Sequence, residues 1–293
     1  MRAALHNMII SIFEIMKKTQ TPAKPSSRQQ TRQTGVFVRT TPGSQSLERG
    51  LRILRTFRHG VDSLTNADIA ARTGLVRPTV SRLCRSLVDS GFLEFDRQQN
   101  AYRLSVASLS LALSFRSSDP VLEAALPFMR ELAQSRKVNV SLATADQLEM
   151  VYVETVRFSR QGVFRHQAAG SRIPIAVTSL GRAYLAGLPI LQRQSLLEKL
   201  QSAQGKDGPK TQEHLQQALQ LFELRGFCYT QWQPGMGSVA SPIQSPSGRT
   251  YAIHISYHIE SPDSEIRQMD AYAALLSHLV HDVKSAWAEK IGD

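Results

Sequence analysis

Apolar residues recur at three- and four-residue intervals in several stretches of this chain and at two-residue intervals in others. Leu47, Leu51, Leu54 and Phe57, with Ile53 beside them, predict a helix capped by Ser46. Thr65, three residues before Asp68, caps a second helix of about two turns, and Gly74 closes it. Pro78 opens a third helix that ends at Gly91 and gathers Val80, Leu83 and Leu87 on one side. Residues 92–95 and 101–104 then alternate like paired strands around the polar turn 96–100.

Val106, Leu109, Leu113 and Phe115 predict a further helix, which breaks at Ser117-Ser118-Asp119-Pro120; the domain boundary is placed there. Residues 121–136 again carry the helical period. From Val138 the period shortens to two, with strands at 138–142 and 150–154 about the turn Asp146-Gln147, and a third at 163–165. Helices follow at 178–186, 191–200 and 212–225, then strands at 237–244 and 250–257 and a long helix at 263–290. This order predicts an α+β fold with a largely antiparallel sheet, and it does not resemble a doubly wound nucleotide fold.

Charge sharpens the picture. Of the net +11, residues 1–118 hold 18 Lys and Arg against 7 Asp and Glu, whereas residues 119–293 hold 17 of each. The whole excess sits with the short helices and hairpin, as expected of a polyanion binder joined to a neutral domain. A basic patch for lipid gives the same sum but does not require that motif. The Thr/Gln/Ser/Pro/Arg-rich tail 17–44 is too polar to order itself, and its basic residues suit loose contact with DNA; a translation start at Met16 is an alternative beginning. The apolar run 8–13 is too short to span a bilayer and has no cleavage pattern, so no membrane insertion is expected. Cys84 and Cys228 fall in different predicted domains, which removes a disulfide framework and fits a reducing cytoplasm. His254/His258 and His278/His281 have ligand-like spacing without a paired acid or cysteine, so neither metal nor cofactor is expected.

On the third helix, the side opposite its apolar residues presents Thr79, Ser81, Arg82, Arg85 and Ser86 and no acid. Such donors suit base edges in a major groove, and Arg97 and Arg103 of the hairpin suit a phosphate backbone. The segment reads as a winged helix-turn-helix with residues 77–90 as recognition helix. Its expected DNA contacts are Thr65, Asn66, Arg77, Pro78, Thr79, Ser81, Arg82, Arg85, Arg97 and Arg103. No Gly-x-Ser-x-Gly elbow, phosphate-cradling loop or carboxylate pair accompanies it, so the chain is not expected to be an enzyme. A small-acid hydrolase or isomerase anchored to DNA, and an architectural DNA-binding protein with a ligand-free dimerisation domain, are the rival functions.

The chain from Ser44 onward resembles the IclR family of bacterial transcription regulators. The resemblance rests on Ser46 through Leu54, the helix-turn-helix, Val138 through Ala143, Ile173-Pro174 through Gly181-Arg182-Ala183-Tyr184-Leu185-Ala186, Arg225-Gly226-Phe227, and Val239 through Ile243, all in family order. After the disordered basic extension that composition predicts at 1–44, it implies a winged DNA-binding domain at 45–104, a linker helix at 105–120 and a GAF-like effector-binding and oligomerisation domain at 121–293. It further implies a cytoplasmic homodimer or homotetramer on an inverted-repeat operator, controlled by a small organic acid. The family's carboxylate-binding backbone corresponds to Ser179 and Leu180, at a helix start whose free N–H groups favour an anion; its polar pocket positions match Ser238, His254 and Ser256. The stretch 226–235 departs from the family, being shorter and lacking an acid, while Tyr229, Trp232 and His254 lean the pocket toward an aromatic or bulky carboxylate. An ordinary helix start and a core histidine satisfied on its strand remain alternative accounts of Ser179, Leu180 and His254.

Overall fold

The computed structural model describes residues 43–158 and 168–292. The tail before residue 43 and the strand expected at 163–165 lie outside them. The first described helix, α1 (Gln45–Leu54), is capped by Ser44, whose hydroxyl accepts the Leu47 N–H, and not by Ser46 as the sequence suggested. Only Gly50 and Ile53 of this helix are buried; Leu47 and Leu51 face outward. In α2 (Asn66–Thr73), Thr65 and Asp68 form a reciprocal capping box, and Gly74 ends the helix with a positive φ of 70° that a side chain would strain. Pro78 lies in the first turn of α3 (Arg77–Asp89), where its missing N–H costs nothing. The strands β1 (Leu93–Asp96) and β2 (Ala101–Leu104) pair antiparallel, and Leu64 bridges to Tyr102 as a third rung. Ile53, Leu64, Ile69, Val80, Leu83, Leu93 and Tyr102 close a single small core around these elements.

Two helices follow, α4 (Val106–Ser117) and α5 (Pro120–Arg136). Asp119 joins them: one carboxylate oxygen caps α5 through the Val121 and Leu122 N–H groups, and the other accepts the Tyr251 hydroxyl at 2.5 Å. The remaining strands are β3 (Asn139–Asp146), β4 (Glu149–Val156), β5 (Arg172–Pro174), β6 (Cys228–Gln233), β7 (Met236–Gln244) and β8 (Thr250–His258). They form one sheet in the order β5-β4-β3-β8-β7-β6, antiparallel at every pairing.

Helices cover both faces. On one face Val140, Leu142, Val239, Ile253 and Ile255 pack against α5 and against α9 (Glu265–Gly292). On the other, Met150, Tyr152, Ala240 and Ala252 pack against α6 (Ser179–Gly187), α7 (Ile190–Ala203) and α8 (Gly208–Arg225). Strand residues therefore alternate between two buried layers. The layer facing α6 breaks the apolar pattern with buried polar groups: Asn139, Ser141, His254, Ser256 and Thr230.

Candidate DNA interface and effector pocket

Five of the expected DNA contacts, Arg77, Pro78, Ser81, Arg82 and Arg85, lie exposed along one side of α3, with Thr79 half-buried beside them. The buried Val80, Leu83 and Cys84 hold the opposite side in the core, so packing aims the basic side outward. Burial pushes the Cys84 thiol up to about 11, which leaves it an unreactive core group. Arg97 is exposed at the wing tip, where the Asp96 carboxylate accepts the Gln98 and Gln99 N–H groups and shapes the turn. Arg103 is instead paired with Glu94 at 2.9 Å. Thr65 spends its hydroxyl on Asp68, and Asn66 is half-buried, so these two shape the start of α2 more than they extend the exposed surface.

In the second domain, the start of α6 is packed onto the sheet. The Thr178 hydroxyl caps it by accepting the Gly181 N–H at 3.2 Å. Gly181 is required by close approach, because a Cβ there would stand 2.0 Å from the Ile175 carbonyl oxygen. The Ser179 N–H donates to Thr230 Oγ1 at 3.1 Å, and the Ser179 and Ser238 hydroxyls meet at 2.6 Å. Ser238 in turn lies 3.1 Å from His254 Nδ1. Of the two backbone donors expected to receive a carboxylate, Ser179 is thus already satisfied; among the described residues the Leu180 N–H has no partner.

These groups enclose a cavity of about 20 Å³, enough for one water, whose lining includes Ser179, Leu180, Thr230, Ser238, His254 and Ser256. Four expected pocket residues outside Leu180 therefore do converge: Ser179, Ser238, His254 and Ser256. Burial lowers the His254 pKa to about 3 and keeps the imidazole neutral. Tyr152 lines this cavity and also a larger one of about 560 Å³ beneath α4, bordered by Phe115, Tyr184 and Arg249, so its ring stands between the two.

Tyr229 is a correction. It lies on the other face of β6 and donates its hydroxyl to Glu265 at 2.6 Å, and the strand alternation gives the pocket position to Thr230. The Trp232 side chain lies outside the described residues. Sequence reasoning also missed Tyr152, Thr178 and the Ser141 and Thr155 hydroxyls, which meet at 2.7 Å on the α6 side of β3 and β4. The signal for Ser141 was the alternation Asn139-Val140-Ser141-Leu142, polar where a two-sided core strand is otherwise apolar. Among the described residues no three His, Cys, Asp or Glu side chains gather to hold a metal ion.

A winged helix-turn-helix with a basic outward face, followed by a sheet domain holding a buried polar pocket, defines a DNA-binding transcription regulator. The sequence matches the IclR helix-turn-helix domain over residues 46–97 and the C-terminal domain of bacterial IclR transcriptional regulators over residues 114–284. The chain belongs to the IclR family. It is 28% identical over 244 residues to the HTH-type transcriptional regulator TsaQ1/TsaQ2 of Comamonas testosteroni, covering 82% of this chain and 87% of the relative. It is similar to the crystal structure of an IclR family regulator from Brucella abortus, at 30% identity and a TM-score of 0.74, covering 90% of this chain and 99% of that one. An IclR homologue from Microbacterium hydrocarbonoxydans, complexed with 4-hydroxybenzoate, shares the fold at 23% identity and a TM-score of 0.61, covering 82% of this chain and 100% of that one.

Proposed function

We propose that this regulator binds an inverted-repeat operator as a homodimer or homotetramer and is controlled by a small organic acid held at the start of α6. The observation that carries this reading is the cluster of buried polar groups around the open Leu180 N–H. Buried hydroxyls and an imidazole are held there by bonding to one another, as Ser179, Ser238 and His254 do, and they surround a helix start that favours an anion. A fold of this kind accommodates 4-hydroxybenzoate in the Microbacterium homologue. The cavity as it stands is too small for such a molecule, so binding displaces a wall of it, and Tyr152 is the wall that adjoins free volume.

In this proposal the DNA-binding unit spans 45–104, a linker spans 105–120 and the effector domain spans 121–293. Self-association is supported by α4. It buries none of its own residues, and Val106, Leu109, Leu111 and Leu113 are all more than half exposed. Such an apolar helix is covered by a second copy of the chain. The chain works in the cytoplasm, where its DNA is; no helix among the described residues is long and apolar enough to cross a membrane. It is not an enzyme in this reading: although Ser238 contacts His254, an imidazole held neutral down to about pH 3 is a weak base at neutral pH.

Footprinting on the DNA upstream of its own gene tests the proposal. The expected result is protection of two half-sites related by two-fold symmetry, with the pattern changed by one acid from a panel of aromatic and aliphatic carboxylates. Uniform protection that no acid changes would favour an architectural role.

A further inference from the structure

The pocket lining has no carboxylate and no cation, but a cation lies on the same face of the sheet two strands from Ser256 of the lining. Arg157 directly follows β4. The register pairs Thr155 with Ser141 and Val156 with Val140, and the Phe158 N–H donates to Asn139 Oδ1 at 3.2 Å. Alternation therefore puts Arg157 on the side facing α6, in the row that continues through Asn139, Ser256, Ser238 and Thr230. Its Nη2 is buried and hydrogen-bonds to no described residue. Its charge acts on the Tyr152 hydroxyl, and the Tyr152 ring lines the cavity, 6.1 Å from the His254 ring. The guanidinium thus approaches the pocket from the Tyr152 end, opposite the Leu180 N–H beyond Ser238.

A buried guanidinium amine without an acceptor is an expensive arrangement, and it becomes favourable when a ligand supplies the acceptor. The planar fork of arginine matches a carboxylate. Arg157 and Ser238 lie three strand intervals apart, about 14 Å between backbones at the usual strand spacing, and the arginine side chain shortens that span to small-molecule length. Resting on the reading of this pocket as the effector site, we infer that its ligand is a small dicarboxylate. One carboxylate takes the Leu180 N–H at the start of α6, and the other takes the Arg157 fork. An acid with an apolar far end leaves the buried Arg157 Nη2 without an acceptor, so the site selects against it.

Calorimetric titration of the full-length protein with matched pairs tests this: hexanedioate against hexanoate, and benzene-1,4-dicarboxylate against 4-methylbenzoate. At least one dicarboxylate is expected to bind on the order of 10- to 100-fold more tightly than its monoacid partner, as loss of a charged hydrogen bond implies. Arg157→Met removes that preference, and Arg157→Lys restores part of it; thermal melting of each variant confirms that it is folded. Monoacids that bind wild type as tightly as dicarboxylates, or Arg157→Met binding dicarboxylates normally, would overturn the inference while the pocket reading stands. Binding of neither class by wild type would overturn both. The wild-type comparison needs no variant, so a misfolded substitution does not remove the test.

Discussion

Arg58, just past α1, donates to Glu149 across 2.9 Å, tying the DNA-binding unit to the first residue of β4. Arg172 of β5 holds the same Glu149 at 3.3 Å and also Asp146, which accepts a further hydrogen bond from Arg55. Arg172 stands next to Ile173, which lines the proposed effector pocket. Two carboxylates in one turn thus join the helix-turn-helix to the strand beside the pocket. Burial works against the charge on Asp146, but Arg55 and Arg172 outweigh it and hold the carboxyl below its usual range. With its folded pKa depressed, Asp146 contributes its stabilisation above the unfolded pKa. That contribution fades as pH falls through the folded value, so the contact is intact at neutral pH.

Each of these pairs is partly exposed and therefore weak. A double-mutant cycle on Arg58→Ala and Glu149→Ala, read by denaturant unfolding, is expected to show a coupling of about 0.2–1 kcal/mol that shrinks with salt. The larger effect is expected on communication. Asp146→Asn with Glu149→Gln should reduce the change in DNA affinity produced by a bound acid; an unchanged response would mean that the signal takes another route.

The two basic surfaces of the DNA-binding unit should separate by mutation. Arg82→Ala, on the exposed side of α3, is expected to cost about 1–3 kcal/mol on the operator and little on random duplex. Arg97→Ala, at the wing tip, should weaken both equally and reduce the salt slope by about one. Arg103→Ala should do less, since Glu94 already neutralises it. Equal effects of Arg82 and Arg97 on all sequences would show that α3 does not read bases.

His254 makes a pH prediction. Its folded pKa, about 3, lies below the unfolded value of 6.5, so between them the unfolded chain binds more protons and stability falls as pH drops below 6.5. The slope approaches about 1.4 kcal/mol per pH unit. Unfolding of wild type compared with His254→Gln between pH 7 and pH 5 should show a difference growing by roughly 2 kcal/mol. Parallel profiles would mean that His254 takes up protons in the fold as it does in the unfolded chain.

Gly181→Ala should disrupt the pocket from its frame. The added methyl would meet the Ile175 backbone, so α6 must shift. A stability loss of roughly 1–3 kcal/mol is expected, as for overpacking of a core, together with weakened acid binding; an unchanged melting temperature would show that the helix start has room to move.

The DNA-binding unit was largely legible because its signals are local. Thr65, Asp68, Gly74 and Pro78 act within a turn of where they stand, and the acid-free side of α3 needs only the helical period. The limits were also physical. Periodicity shows that Leu47 and Leu51 share a stripe but not what covers it, and both are exposed. The strand β5 has only three residues and exists through its pairing with β4. No two-residue period marks β6 in the sequence, so its phase is unset there, and it is Thr230 and not Tyr229 that faces the pocket. Ser238, His254 and Ser256 rest on the resemblance to the IclR family; the two-residue period of β7 and β8 only places them on one face. Arg157 gave no sequence signal, since its meaning comes from the strands beside it.

The proposed function requires acid binding and DNA binding to be coupled through one chain. The most direct measurement is the affinity of purified protein for its operator, by fluorescence anisotropy at fixed salt, with and without a saturating acid that calorimetry has shown to bind. A change of roughly 5- to 150-fold on the operator, with no change on a random duplex, is the expected result. Equal affinities with and without the bound acid would contradict the account, because a ligand that does not distinguish the two states cannot regulate.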